Sequence, residues 1–209
     1  RMVISYSSWQ DGEWKNTLSK LIEKTFLHFQ AIVNDDSTYP YNAIASLEHD
    51  LILIGFCIRR LIEKRLVTDK LIKETINIRA YEKKSESTHK PFVSMMGGHV
   101  YESYNTSKEL NMNLNYRQIG DELIHSTQIM TAYNDEVLPN GLLIASDWGQ
   151  DKRLLHFTLE DLSMLVNNVL KDQVLIASDQ WDPITGKVTA KRLHGISNKK
   201  ADKDRNEQG

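Results

Sequence analysis

Cysteine is almost absent from this 209-residue chain, with Cys57 standing alone. One thiol makes no intrachain disulfide and no cysteine-based zinc site, so the expectation is a core-stabilised protein in a reducing, intracellular compartment. An excess of charge is lacking too. Lys and Arg number 26 against 28 Asp and Glu, a formal net charge of −2. This excludes coating of nucleic acid through bulk charge and leaves only local patches for that role. Long apolar runs are missing as well: residues 51–58 form a greasy stretch that Arg59 and Arg60 close, too short to span a bilayer. The opening residues lack a signal peptide's charged and apolar regions, so the expected location is cytoplasmic, without membrane. Arg1, ahead of Met2, is left out of the fold argument.

What is present is an ordinary globular composition, 40% hydrophobic and 26% charged, enough for one domain with a real core. Residues 14–33 repeat apolar side chains at helical spacing (Trp14, Leu18, Leu21, Ile22, Phe26, Phe29), and residues 42–66 do so again with Ile44, Leu47, Leu51, Ile54, Ile58 and Leu61. Thr68 and Asp69 predict a cap for a short helix over 70–74, after which the period becomes two and predicts a strand over 76–81. Residues 82–107 read as a polar loop with a strand near 92–96. Asn115 and Gln118 have the spacing of a capping box and predict a helix over 115–126, although Gly120 within it costs about 1 kcal/mol relative to Ala unless close backbone approach requires it.

The last third predicts a hairpin over 142–158, a helix over 159–171 and a second hairpin over 174–193. Leu-Ile-Ala-Ser-Asp occurs at 143–147 and again at 175–179, each time with a tryptophan close behind. Two copies are too few for a solenoid, and the expectation is two similar arms in one sheet. The predicted architecture is a single α+β domain over 1–196: a helical subregion 1–75, a mixed subregion 76–141 and a hairpin–helix–hairpin over 142–196, with a C-terminal antiparallel sheet of two β-hairpins crossed by a helix. Residues 197–209 form a polar tail.

Chemistry concentrates on the third predicted long helix. Arg117, Asp121 and His125 recur every four residues and share a face, since each step advances the helix by only about 40° beyond a full turn. A solvated face with a weak Arg–Asp pair is the ordinary reading. The sharper one is metal-independent RNA cleavage, with His125 as the acid or base near neutral pH, Arg117 stabilising developing phosphorane charge and Asp121 orienting either. With these roles the row resembles the Arg…His signature, with an intervening polar residue, of the HEPN superfamily of helical nucleotide-binding or ribonuclease domains. That resemblance covers the N-terminal helices and the focal helix. It implies an all-helical fold, a homodimer with facing motifs and an RNA substrate whose 2′-hydroxyl is the nucleophile.

Asp69 with Glu82 and Lys84 loosely resembles the acid and Glu-x-Lys set of restriction-type nucleases, in which two carboxylates hold a divalent cation. The histidines form no ligand set, and His49 beside Asp50 is expected to be a hydrogen-bonded core residue. No metal and no cofactor are expected. Arg59, Arg60, Lys64 and Arg65 open a locally basic stripe, which serves either as a solvated face or as a contact for phosphate or an acidic partner. Trp148 and Trp181, at the predicted hairpin tips, are the candidates for partner docking. The leading expectation is therefore a non-enzymatic interaction or accessory subunit that binds other protein subunits, with homo-oligomerisation open. A HEPN-like ribonuclease is the alternative and a metal-dependent nuclease the remote one.

Overall fold

The computed structural model describes residues 11–34, 43–85, 100–134 and 138–193. The helix α1 (Asp11–Val33) buries Leu18, Leu21, Thr25 and Phe29, the three- and four-residue spacing of a single stripe. It packs antiparallel on α2 (Ala43–Glu63), with His28 against Asp50 and the rings of Trp14 and Phe56 5.9 Å apart. α2 buries a wider arc, from Leu47 through Leu51, Ile54, Cys57 and Ile58 to Ile62, because α1 covers one side of it and a later helix (Tyr116–Ile124) another. The short α3 (Asp69–Lys73) starts at Thr68, whose side chain accepts a hydrogen bond from the Leu71 amide.

β1 (Thr75–Lys83) alternates as its sequence requires, burying Ile76, Ile78 and Ala80. After a 3-10 turn at Val100–Ser103 the chain forms β2 (Tyr104–Asn115), α4 (Tyr116–Ile124), β3 (Ser126–Tyr133), β4 (Pro139–Ser146) and β5 (Arg153–Phe157). The five strands make one antiparallel sheet in the order β2-β1-β5-β4-β3. One face, with Ile76, Ile78, Leu114, Leu142, Ile144, Leu155 and Phe157, joins the helices in the main core; the other carries a small cluster of Tyr104, Ala145 and Leu154. α5 (Leu159–Lys171) leaves β5 through a capping box of Thr158 and Asp161 and buries Leu162, Leu165, Val166 and Val169.

The α+β class is as expected, with N-terminal helices followed by antiparallel sheet. The shared sheet for the two hairpins is not. β4 and β5 lie inside the five-stranded sheet, whereas among the described residues β6 (Ile176–Trp181) and β7 (Val188–Leu193) pair only with each other. Two strands of the sheet escaped the sequence reading. β2 begins inside the expected loop, and β3 follows α4 directly. The expected strand near 92–96 and the tail 197–209 lie outside the described residues. No helix among the described residues is long and apolar enough to cross a membrane.

Candidate functional site

α4 forms where the capping box predicted it. Asn115 Oδ1 accepts from the Gln118 amide and Gln118 Oε1 accepts from the Asn115 amide, both at 2.9 Å. Ile119 and Leu123 face the core, and Gly120 lies against Gly55 of α2, where a Cβ on Gly55 would come within 2.8 Å of the Gly120 carbonyl oxygen. The glycine at 120 thus serves a helix crossing.

That crossing decides what the polar row can do. Asp121 is ion-paired with Arg59 of α2, which also holds Glu63 at 2.6 Å. The Arg59 hydrogen bond, opposed by desolvation and reinforced by the charges of Arg59, Arg117 and Arg60, keeps the Glu63 carboxyl below its usual pKa range. His125 is the helix's C-cap residue, and its exposed ring lies 4.3 Å from that of Trp148, tilted by 49°. At 1.5 Å rise per residue, Arg117 and His125 stand about 12 Å apart along the axis. The three residues share a helix and divide their attention: Arg117 contributes to the field on Glu63, Asp121 pairs with Arg59, and His125 packs on Trp148.

The basic stripe is interrupted for the same reason. Arg59 is consumed by two carboxylates, Arg60 is half-buried, and Arg65 sits in the left-handed region at φ 54° with its carbonyl accepting from Arg192 Nε at 3.3 Å. Lys64 is exposed. Of the four expected contacts Arg59 is thus taken up within the fold, while the Lys64 and Arg65 side chains stay exposed.

The metal-nuclease trio is also taken apart. Asp69 opens α3 and accepts the Arg192 backbone N–H at 3.1 Å, while Glu82 and Lys84 lie at the far end of β1. Glu82 lies seven residue steps along the strand from Thr75, about 23 Å of chain. Among the described residues no group of three His, Cys, Asp or Glu side chains is placed to hold a metal ion.

His49 is corrected as well: its side chain is exposed, and the buried partner is Asp50, bonded to His28 Nδ1 at 2.8 Å. An open cavity of about 800 Å³ between α1 and α2 is bordered by this pair together with Leu21, Leu27 and Leu53. The core histidine is His156. Its Nε2 donates to the Asn140 carbonyl at 2.7 Å, so Nδ1 accepts from the Tyr81 hydroxyl at 3.2 Å, and burial depresses its pKa.

Among the described residues the most exposed large apolar side chains cluster on the second hairpin. Trp181 is 67% exposed, Ile184 93% and Val188 61%, with Leu175 and Leu193 uncovered near the base. Trp181 and Val188 are directly opposed in the ladder, so they share a face. The tip is built, not loose. Asp182 accepts from the Thr185 hydroxyl at 2.6 Å and from the amides of Ile184 and Thr185, which lowers its pKa, and Gly186 supplies the left-handed φ of 64°. Arg192 fixes the base: it holds Asp179 through both terminal nitrogens at 2.7 and 3.1 Å and reaches the Arg65 carbonyl. Trp148 is less available, because His125 covers one of its sides. The sequence singled out Trp181 and not Ile184 and Val188 beside it. An isoleucine in a turn closed by Asp and Gly was the signal for the first of these.

Comparison with protein-family models, with curated proteins and with solved structures finds no match for the chain.

Proposed function

We propose that this chain is a non-enzymatic interaction or accessory subunit of a larger intracellular assembly and that it docks on another protein through the β6–β7 arm. The observation that carries the reading is the arm's uncovered apolar edge. A two-stranded hairpin is marginal in water on its own, yet this one presents Trp181, Ile184 and Val188 to solvent on a turn made rigid by Asp182. Rigid aromatic and aliphatic anchors lose little conformational freedom on binding, which is the profile of interface hot spots. Trp148, partly exposed beside His125, is the second anchor.

The test is gel filtration of an extract from the native cell. Wild-type chain is expected in a complex larger than its own 24.1 kDa. A Trp181→Ala/Ile184→Ser variant, shown to be folded by circular dichroism, is expected to elute free. Identical elution of the two proteins overturns the reading.

The exposed Arg117 and His125 support a second reading, the HEPN-like ribonuclease. With Asp121 paired elsewhere and about 12 Å between the remaining two groups, one row does not close on one phosphate, so this reading requires two copies with facing helices. RNA cleavage lost in His125→Ala would support it, and cleavage that persists in that variant removes the mechanism.

A further inference from the structure

Asp50 is an acid set among core residues. On α2 its neighbours Leu47, Leu51 and Ile54 are buried, and its own side chain is only 5% exposed. A charge in such a place is costly unless it is paired, and even a paired one rarely stabilises more than an apolar residue of similar size. Packing alone therefore gives no reason for an acid here. His28 of α1 is the partner: its Nδ1 donates to Asp50 Oδ2 at 2.8 Å. That bond occupies one carboxylate oxygen. The other, Oδ1, stands 3.8 Å from His49 Nδ1, beyond hydrogen-bond distance.

The same carboxylate borders the open cavity of about 800 Å³ between α1 and α2. Sites for small organic ligands have volumes of about 300–1,000 Å³. The walls of this one divide by chemistry. Leu21, Leu27 and Leu53 supply apolar surface, Lys24 supplies an ammonium and Asp50 supplies an acceptor. Lys24 lies one helical turn before His28, so on α1 the cation stands beside the residue that holds Asp50. A simple cation in the cavity would be repelled by Lys24, and a simple anion by Asp50. A ligand that carries both charges on an apolar body meets neither objection.

We propose that this cavity binds a free α-amino acid with an apolar side chain. The ligand's ammonium donates to Asp50 Oδ1, its carboxylate accepts from Lys24 Nζ, and its side chain packs on Leu21, Leu27 and Leu53. Both charged groups of an amino acid hang on one carbon, and the flexible four-carbon stem of Lys24 lets its ammonium follow the carboxylate. His28 is a positioning residue, because its bond to Oδ2 fixes the orientation in which Asp50 presents Oδ1. The site uses none of the residues of the β6–β7 arm, so it stands or falls apart from the docking reading.

Titration calorimetry on the full chain with leucine, phenylalanine, isopentylamine and isocaproate separates the requirements, since the last two are leucine without its carboxylate and without its amine. Leucine or phenylalanine is expected to bind, and each of the two analogues to bind at least about tenfold more weakly. Asp50→Asn, which keeps an acceptor for His28, is expected to weaken the amino acid by the same factor. Lys24→Ala is expected to weaken the amino acid and not isopentylamine. Ala45→Trp, at an exposed position on the cavity wall, is expected to block both. Circular dichroism checks that each variant is folded, and if Asp50→Asn is not, the other two variants decide. Failure of leucine and phenylalanine to bind the wild-type chain overturns the inference. So does isocaproate binding as tightly as leucine, or amino-acid binding unchanged in Lys24→Ala and Ala45→Trp.

Discussion

Asp121 of α4 and Arg59 of α2 are ion-paired across the point where the two helices cross, and the pair fixes the orientation of the polar row that α4 carries. Both side chains are mostly covered and Arg59 also reaches Glu63. Such a pair contributes more than an exposed one, and removing one partner leaves the other's charge partly desolvated. A double-mutant cycle with Arg59→Met and Asp121→Asn, followed by urea unfolding, is expected to give a coupling energy of about 1 kcal/mol. A coupling indistinguishable from zero would mean that the pair is solvent-screened.

The same crossing sets two glycines against each other with opposite outcomes. A Cβ on Gly55 meets the Gly120 carbonyl oxygen at 2.8 Å and Leu123 Cβ at 2.9 Å, both fixed. A Cβ on Gly120 meets Arg59 Cγ at 3.0 Å and the Gly55 carbonyl oxygen at 3.2 Å, milder approaches that call for a shift of a few tenths of an ångström. Overpacking of the first kind costs about 1–3 kcal/mol. In the second, the helix-propensity gain of Gly→Ala, about 1 kcal/mol, offsets the strain. Gly55→Ala is expected to lower the urea midpoint clearly, and Gly120→Ala to leave it nearly unchanged.

These contacts explain what was legible in the sequence. The Asn115–Gln118 capping box and the buried stripes of α1 and α2 are local patterns and came through. The β1 strand alternates and came through as well. β2 alternates too, with Leu110, Met112 and Leu114, but its polar start from Asn105 to Glu109 hid where it begins. β3 carries Ile129 and Met130 side by side, one packed on the main core and the other on the cluster beneath the sheet, so it shows no period. The meaning of Asp121 depended on Arg59, and that of Asp69 on Arg192, contacts between residues far apart in the chain. The identical Leu-Ile-Ala-Ser-Asp segments show the limit most directly, since pairing partners and not local residues put one in the core and the other outside it.

Asp172 ties three helices together. Its carboxylate accepts from the Thr68 amide at 2.7 Å and the Thr68 hydroxyl at 2.6 Å, and its backbone carbonyl accepts from Lys15 of α1. Hydrogen bonds to a charged group contribute about 1.5–3 kcal/mol each when partly buried, but they are not additive. Asp172→Ala is expected to destabilise by about 2 kcal/mol. Thr68→Val is expected to remove only the hydroxyl's share together with the α3 cap. Equal losses in the two variants would show that the amide bond to Asp172 contributes no more than the Thr68 cap.

His156 makes stability depend on pH. Buried and neutral, it donates to Asn140 through Nε2 and accepts from Tyr81 at Nδ1, so a second proton turns the Tyr81 hydroxyl from donor to acceptor and places a charge in the core. Burial depresses its folded-state pKa below the ordinary 6.5, while the Asn140 hydrogen bond works in the opposite direction. In the unfolded chain it titrates near 6.5, so between the two values the unfolded state binds more protons. The stabilising contribution of neutral His156 is therefore complete above pH 6.5 and is lost as pH falls through the folded pKa. Urea unfolding at steps from pH 7.5 to 5 is expected to show stability falling by at most about 1.4 kcal/mol per pH unit from this group. In His156→Gln, which keeps a donor toward Asn140 and cannot titrate, that part of the slope is expected to vanish even though the variant is less stable at pH 7.5. An unchanged slope in the variant would assign the acid sensitivity to other groups.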